Sequence, residues 1–95
     1  PMQVNHYFDD NVLSIGLDNA AGHHTVGVMN PGRYEFSTSQ HEHMVVISGT
    51  LVIQRDGDDE PQLFSEGESF DVPAHQRFQC EATEMTAYLC TYLAG

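Results

Sequence analysis

The stretch Gly32–Gly49, reading GRYEFSTSQHEHMVVISG, does most to limit what this chain can fold into. In its first half Tyr34, Phe36 and Thr38 fall on one side of an extended chain and Arg33, Glu35 and Ser37 on the other, because successive strand side chains face opposite sides of a sheet. His41, Glu42 and His43 read as a polar loop interrupting the strand. The chain then resumes as Met44–Ile47, a short apolar run of β-favouring residues ended by Ser48-Gly49. A carboxylate and two imidazoles therefore sit where two strands meet. A looser echo follows at Gly67–Phe78, reading GESFDVPAHQRF.

The rest of the chain is punctuated in the same way. Asp9-Asp10-Asn11 is a turn-prone cluster, and Val12, Leu13, Ile15 and Leu17 indicate a strand in which Gly16 marks a bulge or a close backbone approach. Asp18–Gly22 reads as a loop, His24–Met29 as a strand, and Asn30-Pro31-Gly32 as a turn. Thr50–Arg55 is a strand and the acidic run Asp56–Pro61 a solvated turn. The segments 62–66, 69–72, 78–82 and 85–93 complete the set. About nine or ten short strands without a helical period mean an antiparallel sandwich or barrel. Within 95 residues the economical form is a small all-β, antiparallel jelly-roll barrel, one domain spanning residues 1–95.

Charge narrows the partners. Fourteen acidic residues face three arginines and no lysine, a net charge of −11, which excludes nucleic acid and anionic membranes as partners because both need clustered cations. A phosphate ligand would need a local site of backbone N–H groups, hydroxyls or a well-placed arginine. No apolar run is long enough to span a bilayer, and the N-terminus lacks a basic and apolar leader. A final hairpin centred near Thr83-Glu84 would set Cys80 opposite Ala87, so no disulfide with Cys90 is expected. Two apolar strand thiols fit a reduced, cytoplasmic protein and read as structural.

Two spacings resemble the cupin motifs: Glu42 followed seven residues later by Gly49, and Gly67, five residues, then Pro73. Cupins are small jelly-roll barrels with a pocket in the mouth, often holding a metal on two histidines and a glutamate of the first motif and a histidine of the second. Here the first two histidine positions fall on Phe36 and Thr38, or on Glu35 and Ser37 with the longer spacing. The third falls on Phe78, and the second motif's glycine position falls on His75. Only Glu42 survives, so a cupin metal site looks dismantled.

A closer resemblance covers nearly the whole chain. Asn5-x-Tyr7-Phe8, Ser14-Ile15-Gly16, Val26–Met29, Gly32-x-Tyr34-x-Phe36-Ser37-Thr38, Glu42-x-Met44, Val46–Gly49, Phe70-x-Val72-Pro73, Phe78 and Tyr88-Leu89-Cys90-x-Tyr92 are similar to the cupin-like pyrimidine/purine nucleoside phosphorylases of bacteria. That resemblance implies a broad-specificity enzyme on a homodimeric cupin scaffold. It would cleave nucleosides with phosphate, as co-substrate, to free base and ribose 1-phosphate, without a metal or other cofactor.

Phosphorolysis passes through an oxocarbenium-like sugar, so the site must hold ribose, stabilise positive charge, cradle phosphate and seat a flat base. Glu42 is the candidate catalytic carboxylate. Phe36, Phe78 and Tyr88 are candidate walls for the base, with Met44 beside them, because stacking tolerates any base. Thr38, Ser37 and Ser48 offer hydroxyls for phosphate, and Arg77 is the one cation inside a motif; Arg33 and Arg55 read as exposed strand residues. Two other readings stay open. His41, Glu42 and His43 with His75 could hold zinc, nickel or iron in a metal-dependent small-molecule cupin enzyme, or the barrel could bind a ligand without turnover. Asp71 and His75 could form an acid/base pair.

Overall fold

The computed structural model describes residues 1–94. Ten strands follow one another: β1 (Val4–Tyr7), β2 (Val12–Asn19), β3 (Gly22–Met29), β4 (Gly32–Ser37), β5 (His41–Ser48), β6 (Thr50–Arg55), β7 (Gln62–Ser65), β8 (Ser69–Val72), β9 (Arg77–Ala82) and β10 (Thr86–Leu93). They form a six-stranded sheet in the order β1-β2-β3-β10-β5-β8 and a four-stranded sheet in the order β4-β9-β6-β7, with every pairing antiparallel. This is the antiparallel all-β architecture expected from the period-two pattern.

Alternation decides the core. Leu51 and Ile53 on β6, Phe70 and Val72 on β8, and Phe78, Cys80 and Ala82 on β9 are buried, while their immediate neighbours in the chain are more exposed. Each such aliphatic or aromatic side chain removed from water contributes about 1.5–3 kcal/mol. The two glycine-led stretches meet here in space: Glu42 pairs with Val72 across β5 and β8, and Phe36 with Phe78 across β4 and β9.

Two boundaries differ from the sequence reading. His41, Glu42 and His43 belong to β5 and are not a loop, because β10 and β8 hydrogen-bond this segment on both sides and draw even polar residues into the ladder. Residues 18 and 19 likewise continue β2, and the loop shrinks to a tight hairpin into Gly22. The last two strands form no hairpin: the chain changes sheets between Ala82 and Thr86. Cys80 faces Tyr34 and Ile53 in the smaller sheet, while Cys90 faces Thr25 and Met44 in the larger one. Both thiols are buried and free.

Gly49 makes the corner at which the chain leaves β5 for β6. Its φ of +99° suits glycine, and a Cβ there would lie 2.3 Å from Thr86 Oγ1. That hydroxyl accepts a hydrogen bond from the Thr50 N–H at 3.2 Å and lies 3.1 Å from the Thr50 carbonyl. Arg55 also departs from expectation. Its side chain is only 18% exposed, pairs with Asp58 at 2.9 Å, donates to the Asp71 carbonyl and lies over the Phe64 and Phe70 rings. The acidic turn is therefore pinned at Asp58, whose carboxyl the Arg55 hydrogen bond holds below its ordinary range.

Candidate active site

Strand parity assembles a cavity between the sheets. From the larger sheet come Ser14 of β2, Glu42 and Met44 of β5, and Tyr88, Cys90 and Tyr92 of β10; Phe36 and Phe78 of the smaller sheet close the other side. Tyr88 can lie flat there because Gly27 has no side chain: a Cβ at Gly27 would fall 2.3–2.5 Å from the tyrosine ring. Phe36 and Phe78 stack on each other at 5.6 Å with 27° between their planes, and Phe8 meets Phe36 edge-on.

The cavity holds about 120 Å³, below the roughly 300–1,000 Å³ of ordinary small-molecule pockets. It adjoins an open polar cleft of about 510 Å³ lined by Gln3, Asn5, His23, Thr25, Ser39 and Gln40, among others; Tyr7 and Tyr92 border both.

Burial raises the Glu42 carboxyl above its ordinary range, and a hydrogen bond from the Cys90 thiol partly opposes that rise. Burial also pushes Tyr88, Cys90 and Tyr92 upward, so all three stay neutral around pH 7. Among the described residues no lysine or arginine lines the cavity. Glu42 is thus the one carboxyl on its wall among the described residues, set among aromatic faces and neutral hydroxyl donors. Such a wall can seat a flat ring, accept hydrogen bonds from sugar hydroxyls and stabilise a cation.

The other candidate residues are distributed differently. Phe36, Met44, Phe78 and Tyr88 line the cavity beside Glu42. Thr38 is buried, but its hydroxyl is engaged: it donates to the Pro73 carbonyl at 2.7 Å and accepts from the Gln76 N–H at 3.1 Å, tying β4 to the β8–β9 loop. Arg77 is exposed on the outer face of β9, beside Glu35, Gln54 and Arg55, because Phe78 takes the inward position. Ser37 reaches the cavity, whereas Ser48 is exposed at the corner before Gly49.

The metal reading loses its geometry. Within a strand His41 and His43 face away from Glu42, and they flank Asp71 on the outer surface, with His41 Nε2 at 2.7 Å and His43 Nδ1 at 3.0 Å from its oxygens. His75 is exposed with a φ of +62°, so Asp71 pairs with His41 and His43, not with His75. Among the described residues no three histidine, cysteine or acidic side chains are grouped to hold a metal ion.

Cys90 and Tyr92 belong to the cavity and were not among the sequence-derived candidates. Their signal was present, since both share the parity of Tyr88 on one strand. Tyr7 and Ser14 stood within the family-like wording, but only the pairing of β1 and β2 with the rest of the sheet brings them near Glu42.

Comparison with known proteins gives a consistent set. A family model described as pyrimidine/purine nucleoside phosphorylase matches residues 2–92. Similar proteins carrying that name include one from Tolumonas auensis, 53% identical and covering 96% of this chain and 98% of the relative. Another, from Pseudomonas paraeruginosa, is 51% identical and covers 95% and 97%. A crystal structure of a protein of unknown function from Vibrio parahaemolyticus superposes with a TM-score of 0.93 at 41% identity, covering 98% of this chain and 99% of that one. An RmlC-like cupin from Shewanella frigidimarina, 13% identical with a TM-score of 0.74 and coverage of 96% and 82%, shares the fold alone.

Proposed function

The chain belongs to the pyrimidine/purine nucleoside phosphorylase family, and on that premise we propose that it cleaves purine and pyrimidine nucleosides with phosphate to free base and ribose 1-phosphate, with Glu42 at the chemical centre. The observation that carries the site assignment is the presence of Glu42 as the one carboxyl, among the described residues, on the wall of a cavity with aromatic faces. The ionised carboxylate accepts hydrogen bonds from the ribose hydroxyls and stabilises the positive charge that develops as the glycosidic bond breaks. The base lies against Phe36, Phe78 and Tyr88, with Met44 as a deformable neighbour, and stacking accommodates both ring sizes.

Phosphate needs neutral donors, because among the described residues no cation lines the cavity and Arg77 faces away from it. The tyrosine hydroxyls, Ser14, Ser37 and the amides of the adjoining cleft supply them. No cofactor enters this reaction: phosphate is the co-substrate, and Glu42 with the hydroxyl donors provides the electrostatics.

The working unit is a homodimer formed through the outer face of the six-stranded sheet. Ile15, Val26, Leu89 and Val45 are register partners in one row across β2, β3, β10 and β5. Ile15 and Val26 are 42% and 40% exposed, an apolar outer row of the kind a second copy would cover. Two free thiols support a reducing, cytoplasmic setting, in which the reaction serves nucleotide salvage.

The test is base release from uridine and adenosine with and without phosphate and with and without a chelator. Phosphate-dependent release that survives chelation is expected. Absence of release at high enzyme concentration overturns the assignment.

A further inference from the structure

Cys90 Sγ lies 3.5 Å from Glu42 Oε1. Register accounts for the contact: Tyr92 stands directly opposite Glu42 and Cys90 opposite Met44, so the thiol meets the carboxylate diagonally on one sheet face. On its other side Cys90 is the register partner of Thr25 on β3, whose hydroxyl lies 3.4 Å from the Tyr92 hydroxyl. The contact is thus set within three neighbouring strands. Cys90 is only 2% exposed, so it has no freedom to swing into solvent.

We propose that Cys90 is a positioning residue for nucleoside phosphorolysis, its thiol donating to Glu42 Oε1 and holding the carboxylate so that Oε2 faces the ribose hydroxyls. This rests on the assignment of Glu42 as the catalytic carboxylate. A half-buried carboxylate would otherwise sample several rotamers, and a displacement near 1 Å costs on the order of a hundredfold in rate. A thiol suits the task because it is a weak donor. It restrains the carboxylate without withdrawing much of the charge that must meet the sugar.

The surroundings leave the thiol as the hydrogen-bonded neighbour that tunes Glu42. From β1 comes Tyr7, from β10 Tyr88 and Tyr92, from β3 Thr25, and from β4 and β9 Phe36, Ser37 and Phe78. Val72 is the register partner on β8, and Asp71, His41 and His43 lie on the opposite face of the sheet. The His23 ring lies tilted against that of Tyr92, 5.0 Å between centroids, at the edge of the cleft. The thiol bond lowers the Glu42 carboxyl against its burial, so loss of the thiol moves the acid limb of the rate profile to higher pH.

The experiment compares Cys90→Ala, Cys90→Ser and Glu42→Gln with the wild-type protein in phosphorolysis of uridine and adenosine, recording kcat, KM, the pH profile of kcat/KM and the melting curve. Cys90→Ala is expected to lower kcat by roughly tenfold with KM changed less than about twofold, and to shift the acid limb upward. Cys90→Ser, a stronger donor, is expected to recover most of kcat and to place the acid limb below that of the wild type. An unchanged kcat and acid limb in folded Cys90→Ala overturns the proposal. Should the alanine variant fail to fold, a serine variant with the wild-type limb overturns it equally. Full activity in Glu42→Gln instead removes the underlying assignment of Glu42, whatever the cysteine variants do.

Discussion

Phe36 and Phe78 are register partners across β4 and β9, and their rings stack 5.6 Å apart on the cavity wall. With the shorter of the two spacings read in the sequence, the resemblance to cupins puts these two positions where a metal-binding member carries histidines. The pair presents aromatic faces to the cavity, a surface suited to a flat organic ring.

Shortening that wall should weaken substrate binding without favouring one base class. Phe36 is only half-buried, so Phe36→Leu should fold, and its loss of ring contact is worth about 1 kcal/mol, roughly fivefold in kcat/KM. Steady-state kinetics with uridine and adenosine check this. A loss confined to one of the two would show that Phe36 reads base identity.

Glu42 should trade stability for activity. Burial puts its folded-state value above the unfolded one, so the folded protein binds more protons between the two. Stability is then present in full below the ordinary glutamate range and is lost as pH rises through the raised value. Glu42→Gln should therefore melt higher than the wild type at neutral pH, with the difference closing near about pH 4, while base release falls by about a hundredfold or more. Calorimetry across pH decides it, and a variant that melts lower at neutral pH contradicts the reading.

Gly49 and Gly57 share a positive φ but not their surroundings. Nothing lies within 4 Å of a Cβ at Gly57, whereas at Gly49 the Thr86 hydroxyl is in the way. Gly57→Ala should cost about 1 kcal/mol, the backbone cost alone. Gly49→Ala should cost about 2 kcal/mol or more, because the hydrogen bonds of Thr86 to Thr50 must also yield. Denaturant midpoints of the two variants give the comparison, and equal costs would mean that the corner yields freely.

A charge placed in the apolar row should separate the homodimer proposed above. Val26→Glu lies between Ile15 and Leu89 on the outer face, away from the cavity, so the monomer should keep its strand content while its mass by light scattering halves. An unchanged mass would move the interface elsewhere.

Local information was enough for a large part of this protein. Period-two alternation needs no knowledge of partners, so the strands, the inward parity of Tyr34, Phe36 and Phe78, the corner at Gly49 and the family wording were all legible in the chain. What lies between strands was not. His41 to His43 read as a loop because their polarity is a local cue, yet the ladders to β8 and β10 make them strand and turn the histidines outward toward Asp71. Arg77 stands out by its charge, but the inward turn of Phe78 places it outside. Thr38 has the right parity, but its hydroxyl is taken by the β8–β9 loop. The sequence by itself determined most of the extended segments and which of their faces are apolar, because those depend on neighbours one and two residues away. Only the tertiary structure decided that Cys90 and Tyr92 stand beside Glu42, because strand pairing joins residues nearly fifty positions apart and a register change of one would point each side chain to the other face.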